Sequence, residues 1–397
     1  MTRELVAVVG GGRMPRTAVA RAVCDAWDAG DAVAVLDPAS SPAAVEAQVE
    51  SLDATRLIDS SGPHRVATGT PVEPDVVAVV LTSGTTGTPA AVTLTGTGMH
   101  AMVAGVSAAH GAGGTAQTWL CCLPLHHMAG LGILARHHLG GDGLVIHESF
   151  DAAAVARAPT ESGATIVSLV PTMLHRMLEE GVPVDGYRAL RLGGGPVPDG
   201  LRRRAEEAGG RVVATYGMTE TWGGCVHDGV ADAGVDLRIG EGGEIQVRGT
   251  VVTPGYHRDP ERTRRAFTAD GWLRTGDVGE LTAGSRGEPD RLRVVDRIKD
   301  LIISGGVNVS PTAVEAALIG HPRVADVAVA GAPDDEWGER VVAHVVPVDP
   351  GEPPDLDALR AFAAHSLPAP SLPRDVRVTE RIPRTPGGKI RRVELRH

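Results

Sequence analysis

A run rich in glycine, serine and threonine occupies positions 81–89 (LTSGTTGTP) and directly follows the apolar segment 76–81 (VVAVVL). Glycines allow a backbone to turn tightly, and N–H and O–H donors that converge on one concave spot suit phosphate oxygens. The run is not a Walker loop, because the pattern G-x-x-x-x-G-K-[ST] is missing. A flexible polar loop is the alternative interpretation. The position directly after an apolar, strand-like segment favours phosphate binding.

Four charged residues of interest lie in further glycine- or threonine-rich segments. They are Glu220 in 215–221 (TYGMTET), Asp277 in 271–279 (GWLRTGDVG), Lys299 in 296–306 (DRIKDLIISGG) and Lys389 in 384–392 (RTPGGKIRR). One or two carboxylates, together with phosphates and waters, are enough to hold Mg2+. A lysine preceded by two glycines can be carried into a cleft, where its charge balances a nucleotidyl transfer. Taken singly, each of these residues is equally an ordinary solvated side chain.

Together with 81–89, these segments resemble, in order and approximate spacing, the adenylate-forming superfamily of acyl-CoA synthetases, luciferases and peptide-synthetase adenylation domains. The resemblance spans about 82 to 392, and the opening part is shorter than in typical members. Three softer segments are most similar to o-succinylbenzoate–CoA ligases, namely 168–174 (SLVPTML), 192–196 (LGGGP) and 216–229 (YGMTETWGGCVHDG). The resemblance implies an enzyme that adenylates a small carboxylic acid with ATP and Mg2+ and transfers the acyl group to coenzyme A. Menaquinone biosynthesis is the implied pathway.

The resemblance also implies which residues bind the nucleotide. Glu220 is the implied Mg2+ ligand, Thr219 is expected to bond the AMP phosphate, and Tyr216 to stack near adenine. Asp277 is expected to accept hydrogen bonds from the ribose hydroxyls, with assistance from Arg297. The full implied nucleotide-binding set is Thr82, Ser83, Gly84, Thr85, Thr86, Gly87, Gly194, Gly195, Tyr216, Gly217, Asp277 and Arg297.

Lys389 is the implied catalytic cation and bridges the acid and the α-phosphate; Thr219, Glu220 and His127 complete the catalytic set. Lys299 matches the family's hinge, about which the small domain swings between two half-reactions. His127, in 123–130 (LPLHHMAG), is expected to line the channel for the acid and pantetheine. A metal site at the adjacent histidines is the alternative, but no third ligand has suitable spacing.

The chain departs from the family at one position of the phosphate loop. Typical members continue the loop with Pro-Lys-Gly, whereas this chain has Pro89, Ala90 and Ala91. The missing lysine predicts weaker ATP binding or pyrophosphate handling, and suggests a specialised biosynthetic pathway. Three alternatives keep adenylation but change the acid or acceptor: transfer to a carrier protein, transfer to an amine, or nitrite activation for N–N bond formation. A degenerate nucleotide-binding protein is the non-enzymatic alternative, and only Ala90 supports it.

The elements that must position these residues follow an α/β pattern, in which apolar, β-branched runs alternate with helical segments. Candidate strands are 76–81, 165–170, 211–214 and 244–248; candidate helices are 152–158, 172–180 and 199–208, the last with Asp199 as N-cap. The resemblance implies a large N-terminal domain of layered sheets and helices, 1–297, and a smaller, mobile α+β domain, 298–397.

Composition limits the class of partner. The formal net charge is −11, which argues against bulk nucleic-acid binding and against an anionic membrane as partner. No apolar run approaches the ~20 residues of a membrane span, and the N-terminus lacks a signal-peptide pattern. The four cysteines have no zinc-site spacing, so we expect a reduced, cytoplasmic chain with buried thiols. The sequence is compatible with a homodimer.

Overall fold

The computed structural model describes residues 3–11, 14–82, 89–110, 117–285, 287–384 and 390–396. These residues divide into two compact units. The first comprises Met1–Leu237, Val247–Arg274 and Gly287–Arg291, and the second comprises Arg238–Gln246, Thr275–Arg286 and Leu292–His397.

The strands as far as residue 231 are β1 (Leu5–Val9), β2 (Ala32–Leu36), β3 (Arg56–Asp59), β4 (Gly62–Arg65), β5 (Val76–Thr82), β6 (Ala90–Thr95), β7 (Thr118–Cys121), β8 (Gly143–Ile146), β9 (Ile166–Leu169), β10 (Ala189–Leu192), β11 (Val212–Met218), β12 (Gly223–His227) and β13 (Val230–Ala231). The later strands are β14 (Val235–Ile239), β15 (Glu244–Gly249), β16 (Gly255–Tyr256), β17 (Leu273–Thr282), β18 (Arg291–Arg297), β19 (Ile302–Ser304), β20 (Val307–Val309), β21 (Val324–Asp334), β22 (Gly338–Pro347) and β23 (Asp375–Val378).

The helices are α1 (Arg16–Asp28), α2 (Pro42–Leu52), α3 (Gly96–Ala109), α4 (Met128–Gly140), α5 (Ala152–Ser162), α6 (Pro171–Glu179), α7 (Asp199–Glu207), α8 (Pro260–Ala266), α9 (Pro311–Leu318) and α10 (Leu356–Ala363). Several begin as their sequences predict. Ser41 and Asp151 accept hydrogen bonds from the backbone N–H groups of Ala44 and Ala154, which caps α2 and α5. Among the described residues, no helix is long and apolar enough to cross a membrane.

The first unit contains two seven-stranded sheets. Their strand orders are β16-β6-β5-β2-β1-β3-β4 and β13-β12-β11-β10-β9-β7-β8. Pairs in the middle of each sheet, such as β1–β2 and β9–β10, are parallel, whereas β5–β6 and β11–β12, nearer one edge, are antiparallel. Inner strands such as β1 and β5 are apolar along most of their length because parallel strands are covered on both faces. The α/β class is therefore confirmed.

The second unit is an α+β assembly. A mainly antiparallel sheet of β19 to β23 packs on α9 and α10, and the core includes Val314, Leu318, Val329 and Leu359. Strands β14, β15, β17 and β18 form a four-stranded sheet, most of whose residues belong to this unit. Lys299 therefore lies inside the second unit. The boundary at 297/298 remains a prediction about where the chain hinges.

Helix α7 differs in one detail from its prediction. Asp199 was expected as the N-cap, but the N-cap is Pro198 and Asp199 is the first helical residue, with no capping hydrogen bond from its side chain. Pro198 has the extended backbone that an N-cap requires, so the helix begins at Asp199, one residue earlier than an N-cap at Asp199 would place its start. Asp199 still contributes favourably, since an acidic residue in the first turn complements the helix dipole.

Candidate active site

The segment 215–221 forms the end of β11 and a sharp turn into β12. A short 3-10 helix, Thr219–Thr221, connects the two strands. The Thr221 hydroxyl accepts from the N–H of Met218 at 3.0 Å and donates to the carbonyl of Gly223 at 2.8 Å, which fixes the turn. Thr219 and Glu220 are consequently presented at the carboxyl end of a parallel strand, where α/β sheets bind ligands.

Gly217 is required where the two strands approach most closely. A Cβ atom built at this position would lie 1.8 Å from the carbonyl oxygen of Gly223, a backbone atom that cannot rotate away. The register of β11 and β12 shifts between Tyr216 and Gly217, which marks a bulge at this point. The absence of a side chain at Gly217 therefore allows β11 and β12 to approach closely at this turn.

We expect Gly217→Ala to lower the free energy of unfolding of the first unit by about 2 kcal/mol or more, because the added methyl forces the strands apart. Gly195→Ala is the matched control, since a Cβ there meets no atom within 4 Å. Urea unfolding followed by the fluorescence of Trp119 and Trp222 measures both. Equal stability of the two variants would contradict the close approach.

The Glu220 carboxylate is held by a tyrosine from another segment. The hydroxyl of Tyr256 on β16 donates to Oε1 of Glu220 at 2.8 Å, and the backbone N–H of Thr253 donates to the Glu220 carbonyl at 2.7 Å. Burial and the neighbouring Glu220 charge raise the pKa of Tyr256 well above its usual value, so its hydroxyl stays protonated and remains a donor.

This arrangement suits a single Mg2+ ion bound mainly by phosphates. Among the described residues, Glu220 accepts a side-chain hydrogen bond only at Oε1. A hard carboxylate oxygen is therefore left to contact a cation. Elsewhere in the described ranges, no group of three or more His, Cys, Asp or Glu could hold a metal ion. A single carboxylate such as Glu220 is enough for Mg2+ that is held mainly by nucleotide phosphates.

Two glycine-rich segments that are predicted to bind the nucleotide also belong to the first unit. Of the phosphate-loop residues, Thr82 ends β5 and its hydroxyl donates to the Ala90 carbonyl at 3.3 Å, whereas 83–87 lie outside the described residues. Ala90, which replaces the family's lysine, is buried at the start of β6. After β10, Gly194 has a φ of 77°, which favours glycine, and both Gly194 and Gly195 are exposed.

His127 is the N-cap of α4 and is exposed, with its ring 4.3 Å from that of His126. Burial and the neighbouring His127 lower the pKa of His126 to about 4, so His126 is neutral near pH 7. His127 therefore lies at the exposed N-terminal end of a helix.

Within the second unit, the structure brings Asp277 and Arg297 together. Nε of Arg297 lies 3.4 Å from Oδ1 of Asp277, whose side chain is buried. The Thr275 hydroxyl accepts from the N–H of Asp277 at 3.1 Å and donates to the Ile245 carbonyl at 2.7 Å. The two residues predicted to hold a ribose are thus neighbours in space.

Lys299 lies in a 3-10 turn, Ile298–Asp300, between β18 and β19. Three residues before Lys299, Oδ2 of Asp296 accepts from the Ser310 hydroxyl at 2.6 Å and from the N–H of Thr312 at 3.0 Å, at the start of α9. Hydrogen bonds therefore join the chain on either side of the predicted hinge.

Lys389 lies outside the described residues, but the chain on both sides of 385–389 is anchored within the second unit. Arg384 and Ile390 form an isolated antiparallel bridge. Nη2 of Arg392 donates to Oε2 of Glu315 at 3.0 Å, and its Nη1 donates to the Val329 carbonyl at 3.0 Å. This ion pair is largely buried. The segment that carries Lys389 therefore begins and ends at fixed points.

Tyr256 was missed by the sequence analysis. It is one of only three tyrosines and follows Gly255, but nothing in its local sequence ties it to Glu220. The link arises because β16 pairs with β6 at the edge of the first sheet.

Comparison with known proteins gives matches along most of the chain. The model of the AMP-binding enzyme family matches residues 30–234, and that of the AMP-binding enzyme C-terminal domain matches 313–389. A probable 2-succinylbenzoate–CoA ligase of Mycobacterium tuberculosis is 40% identical over 384 residues, which cover 92% of this chain and 96% of that protein. A 2-succinylbenzoate–CoA ligase of Bacillus anthracis is 36% identical over 346 residues, covering 81% of this chain and 70% of the relative.

Among solved structures, the fold is similar to that of o-succinylbenzoate CoA synthetase from Bacillus subtilis in complex with the acyl-adenylate intermediate. The TM-score is 0.82 at 28% identity, over 99% of this chain and 88% of that one. A structure of the same synthetase with ATP and a magnesium ion has a TM-score of 0.82 at 29% identity, with 99% and 89% coverage.

Proposed function

The chain belongs to the AMP-binding, adenylate-forming enzyme family, and on this premise we propose that it is an acid–CoA ligase for an o-succinylbenzoate-like acid. ATP first converts one carboxylate into an acyl-adenylate with release of pyrophosphate. The thiol of coenzyme A then displaces AMP and forms a thioester. The substrates bound by the relatives support this order of events.

The observation that carries the proposal is the Glu220 carboxylate at the carboxyl end of β11, fixed through Oε1 by Tyr256. We propose that it contacts Mg2+, which neutralises phosphate charge when bound. Thr219 would bond the AMP phosphate, and Asp277 with Arg297 would hold the ribose. Their ion pair within the second unit, with Nε of Arg297 3.4 Å from Oδ1 of Asp277, supports this last role.

The proposed catalytic cation is Lys389. A positioned ammonium would stabilise negative charge as the acid attacks the α-phosphate. The predicted domains, 1–297 and 298–397, would move relative to each other about Lys299, so that one site serves both half-reactions. The retention of free cysteines and the use of ATP and coenzyme A support a cytoplasmic location.

We expect Lys299→Pro to slow thioester formation by about 10-fold or more while leaving adenylation within about 3-fold. Proline fixes φ and disfavours helical backbone in the preceding Ile298, which belongs to the same 3-10 turn. Substrate-dependent pyrophosphate exchange reports adenylation, and acyl-CoA release reports the second step. Lys299→Ala, which leaves the backbone free, is the control; parallel loss of both steps in the proline variant would argue against a hinge.

The proposal as a whole is tested by incubating the protein with ATP, Mg2+ and a panel of carboxylic acids, with and without coenzyme A. Mass spectrometry should detect acyl-AMP without coenzyme A and acyl-CoA with it, and 2-succinylbenzoate should rank first. Formation of acyl-AMP without any acyl-CoA would show that coenzyme A is not the acceptor and would indicate another acceptor for the acyl group, such as a carrier protein. Failure to form AMP with every acid would overturn it.

A further inference from the structure

The chain has no lysine at the end of the predicted phosphate loop, where it carries Ala90 instead. The loop runs between Thr82, the last residue of β5, and Ala90, the first residue of β6, and these two residues are paired across the strands. Ala90 is 6% exposed and carries no charge. An enzyme that binds a triphosphate normally sets fixed cations beside its negative charges. A cation that acts here must therefore come from another segment.

The segment beside the start of β6 is β16, which leads into helix α8. β16 pairs antiparallel with β6, and Tyr256 lies opposite Val92. Beyond this pair, the N–H of His257 donates to the carbonyl of Ala91, the second residue of β6, at 2.8 Å. Helix α8 begins three residues after His257. The chain therefore enters α8 from a point beside the end of the predicted phosphate loop.

Helix α8 is fixed against β16 by its threonine. The Thr263 hydroxyl accepts from the N–H of Tyr256 at 2.9 Å and donates to the Asp259 carbonyl at 2.8 Å. A Cβ built on Gly255 would lie 2.5 Å from Cγ2 of Thr263, so the helix and the strand are in close contact. The backbone of Arg262, the residue before Thr263, is therefore held at a fixed position relative to Tyr256.

The guanidinium group of Arg262 lies over the ring of Tyr256. Its Cζ atom is 5.5 Å from the ring centroid, within the range of a cation–π contact. The hydroxyl of the same ring donates to Oε1 of Glu220 at 2.8 Å. Burial and the Glu220 charge raise the pKa of Tyr256, whereas the charge of Arg262 lowers it. One aromatic side chain thus contacts both the proposed Mg2+ ligand and a cation.

Arg262 keeps hydrogen-bond donors for a ligand. Its Nε lies 3.2 Å from Oδ2 of Asp259, whose Oδ1 caps α8 by accepting from the N–H of Arg262 at 2.8 Å. Within the described ranges, its Nη1 and Nη2 nitrogens form no hydrogen bond, and the side chain is 26% exposed. The planar fork of a guanidinium group matches the oxygens of a phosphate. The side chain is therefore oriented by one carboxylate and still able to bind an anion.

The neighbouring arginines are placed differently. Arg258, next to β16, pairs with Asp53 at the end of α2. Arg265 forms an ion pair within α8, and its side chain is 69% exposed. Of these three arginines, only Arg262 lies over the ring of Tyr256 in the part of the chain that the structure describes.

We infer that Arg262 binds the β- and γ-phosphates of ATP and supplies the positive charge that the phosphate loop lacks at Ala90. This inference rests on the proposed function. Mg2+ at Glu220 would neutralise phosphate charge from one side, and the Arg262 guanidinium would donate to the same phosphates from the side of Tyr256. AMP lacks both phosphates, so Arg262 should strengthen the binding of ATP and leave that of AMP unaffected.

The first test measures equilibrium binding by calorimetry in the presence of Mg2+. The ligands are AMP and α,β-methylene-ATP, whose α–β linkage is not cleaved. We expect Arg262→Gln to weaken the binding of α,β-methylene-ATP by about 10-fold or more, the usual effect of losing hydrogen bonds to a charged group, and to leave that of AMP within about 2-fold. Arg265→Gln, at an exposed arginine of the same helix, is the matched control and should bind both ligands as the unaltered protein does.

The outcomes of this test separate the inference from the proposed function. An equal loss of affinity for both nucleotides in Arg262→Gln would show that the arginine only supports Tyr256, and it would overturn the inference. Unchanged affinity for both would also overturn it and would leave the proposed function intact. If the unaltered protein binds neither nucleotide, the proposed function fails with it.

The second test moves the cation. Ala90→Lys, added to Arg262→Gln, should bring the affinity for α,β-methylene-ATP back to within about 3-fold of that of the unaltered protein, because it restores a cation at the loop. Arg262→Lys should bind with intermediate affinity, since an ammonium keeps the charge but not the planar fork. No recovery in a folded double variant would overturn the replacement of one cation by the other. If the double variant does not fold, the two nucleotides compared in Arg262→Gln still decide.

Discussion

Replacement of Lys389 by alanine is expected to reduce acyl-adenylate formation by about 100- to 1,000-fold, the usual effect of removing one group that stabilises transition-state charge. The conversion of supplied acyl-adenylate and coenzyme A into acyl-CoA should change by less than about 3-fold. The reason is that a pentacoordinate α-phosphate forms only in the first half-reaction, whereas in the second the thiol attacks the acyl carbonyl. Pyrophosphate exchange and thioester release measure the two steps separately.

The neighbouring tail offers a control for this variant. Arg391 is exposed and pairs only with Glu394 in the part of the chain that the structure describes, at 2.9 Å. Arg391→Ala should therefore leave both half-reactions unchanged. An equal loss of both half-reactions in Lys389→Ala would contradict the assigned role and would point to damage to the tail.

Glu220→Gln should lower kcat/KM for AMP formation by about 100-fold and raise the Mg2+ concentration needed for half-maximal activity. The amide oxygen of glutamine can still accept from the Tyr256 hydroxyl, and the backbone bond from Thr253 is untouched. The local fold is therefore retained, while the charge that attracts the cation is lost. The measurement is initial rate as a function of Mg2+ at saturating ATP and acid.

Tyr256→Phe separates the charge of Glu220 from its orientation. This variant keeps the carboxylate but removes the hydroxyl that fixes Oε1, so a smaller loss of about 10-fold is expected. An unchanged Mg2+ dependence in Glu220→Gln would remove Glu220 from the metal site. A larger defect in Tyr256→Phe than in Glu220→Gln would give the tyrosine the more direct role.

The regular elements were predictable where the sequence has a clear period. The apolar run 76–81 became β5, and the predicted strands 165–170 and 244–248 became β9 and β15 with small shifts at their ends. The strand at 211–214 was predicted too short. It continues through Tyr216 to Met218 because β12 pairs with it, and hydrogen bonding between distant segments does not appear in a local pattern.

The site was predictable only through short segments that already resemble the family. Asp277 and Arg297 could be assigned to one function, and the structure brings them together. Tyr256 could not be assigned to the site from the sequence, because β16 is only two residues long and its pairing with β6 is a tertiary contact.

The two hydrogen bonds that Oδ2 of Asp296 accepts have an energetic consequence for the proposed domain movement. Residues 296 and 310 lie on opposite sides of Lys299 in the chain, so the rotation that we propose at Lys299 would separate Asp296 from the Ser310 hydroxyl and the Thr312 amide. Hydrogen bonds to a charged group contribute about 1.5–3 kcal/mol each. The proposed alternate pose would then have a low population without ligand, and a ligand that binds it more tightly would raise that population. The hydrogen bonds of Asp296 would therefore disfavour the pose for thioester formation until coenzyme A binds.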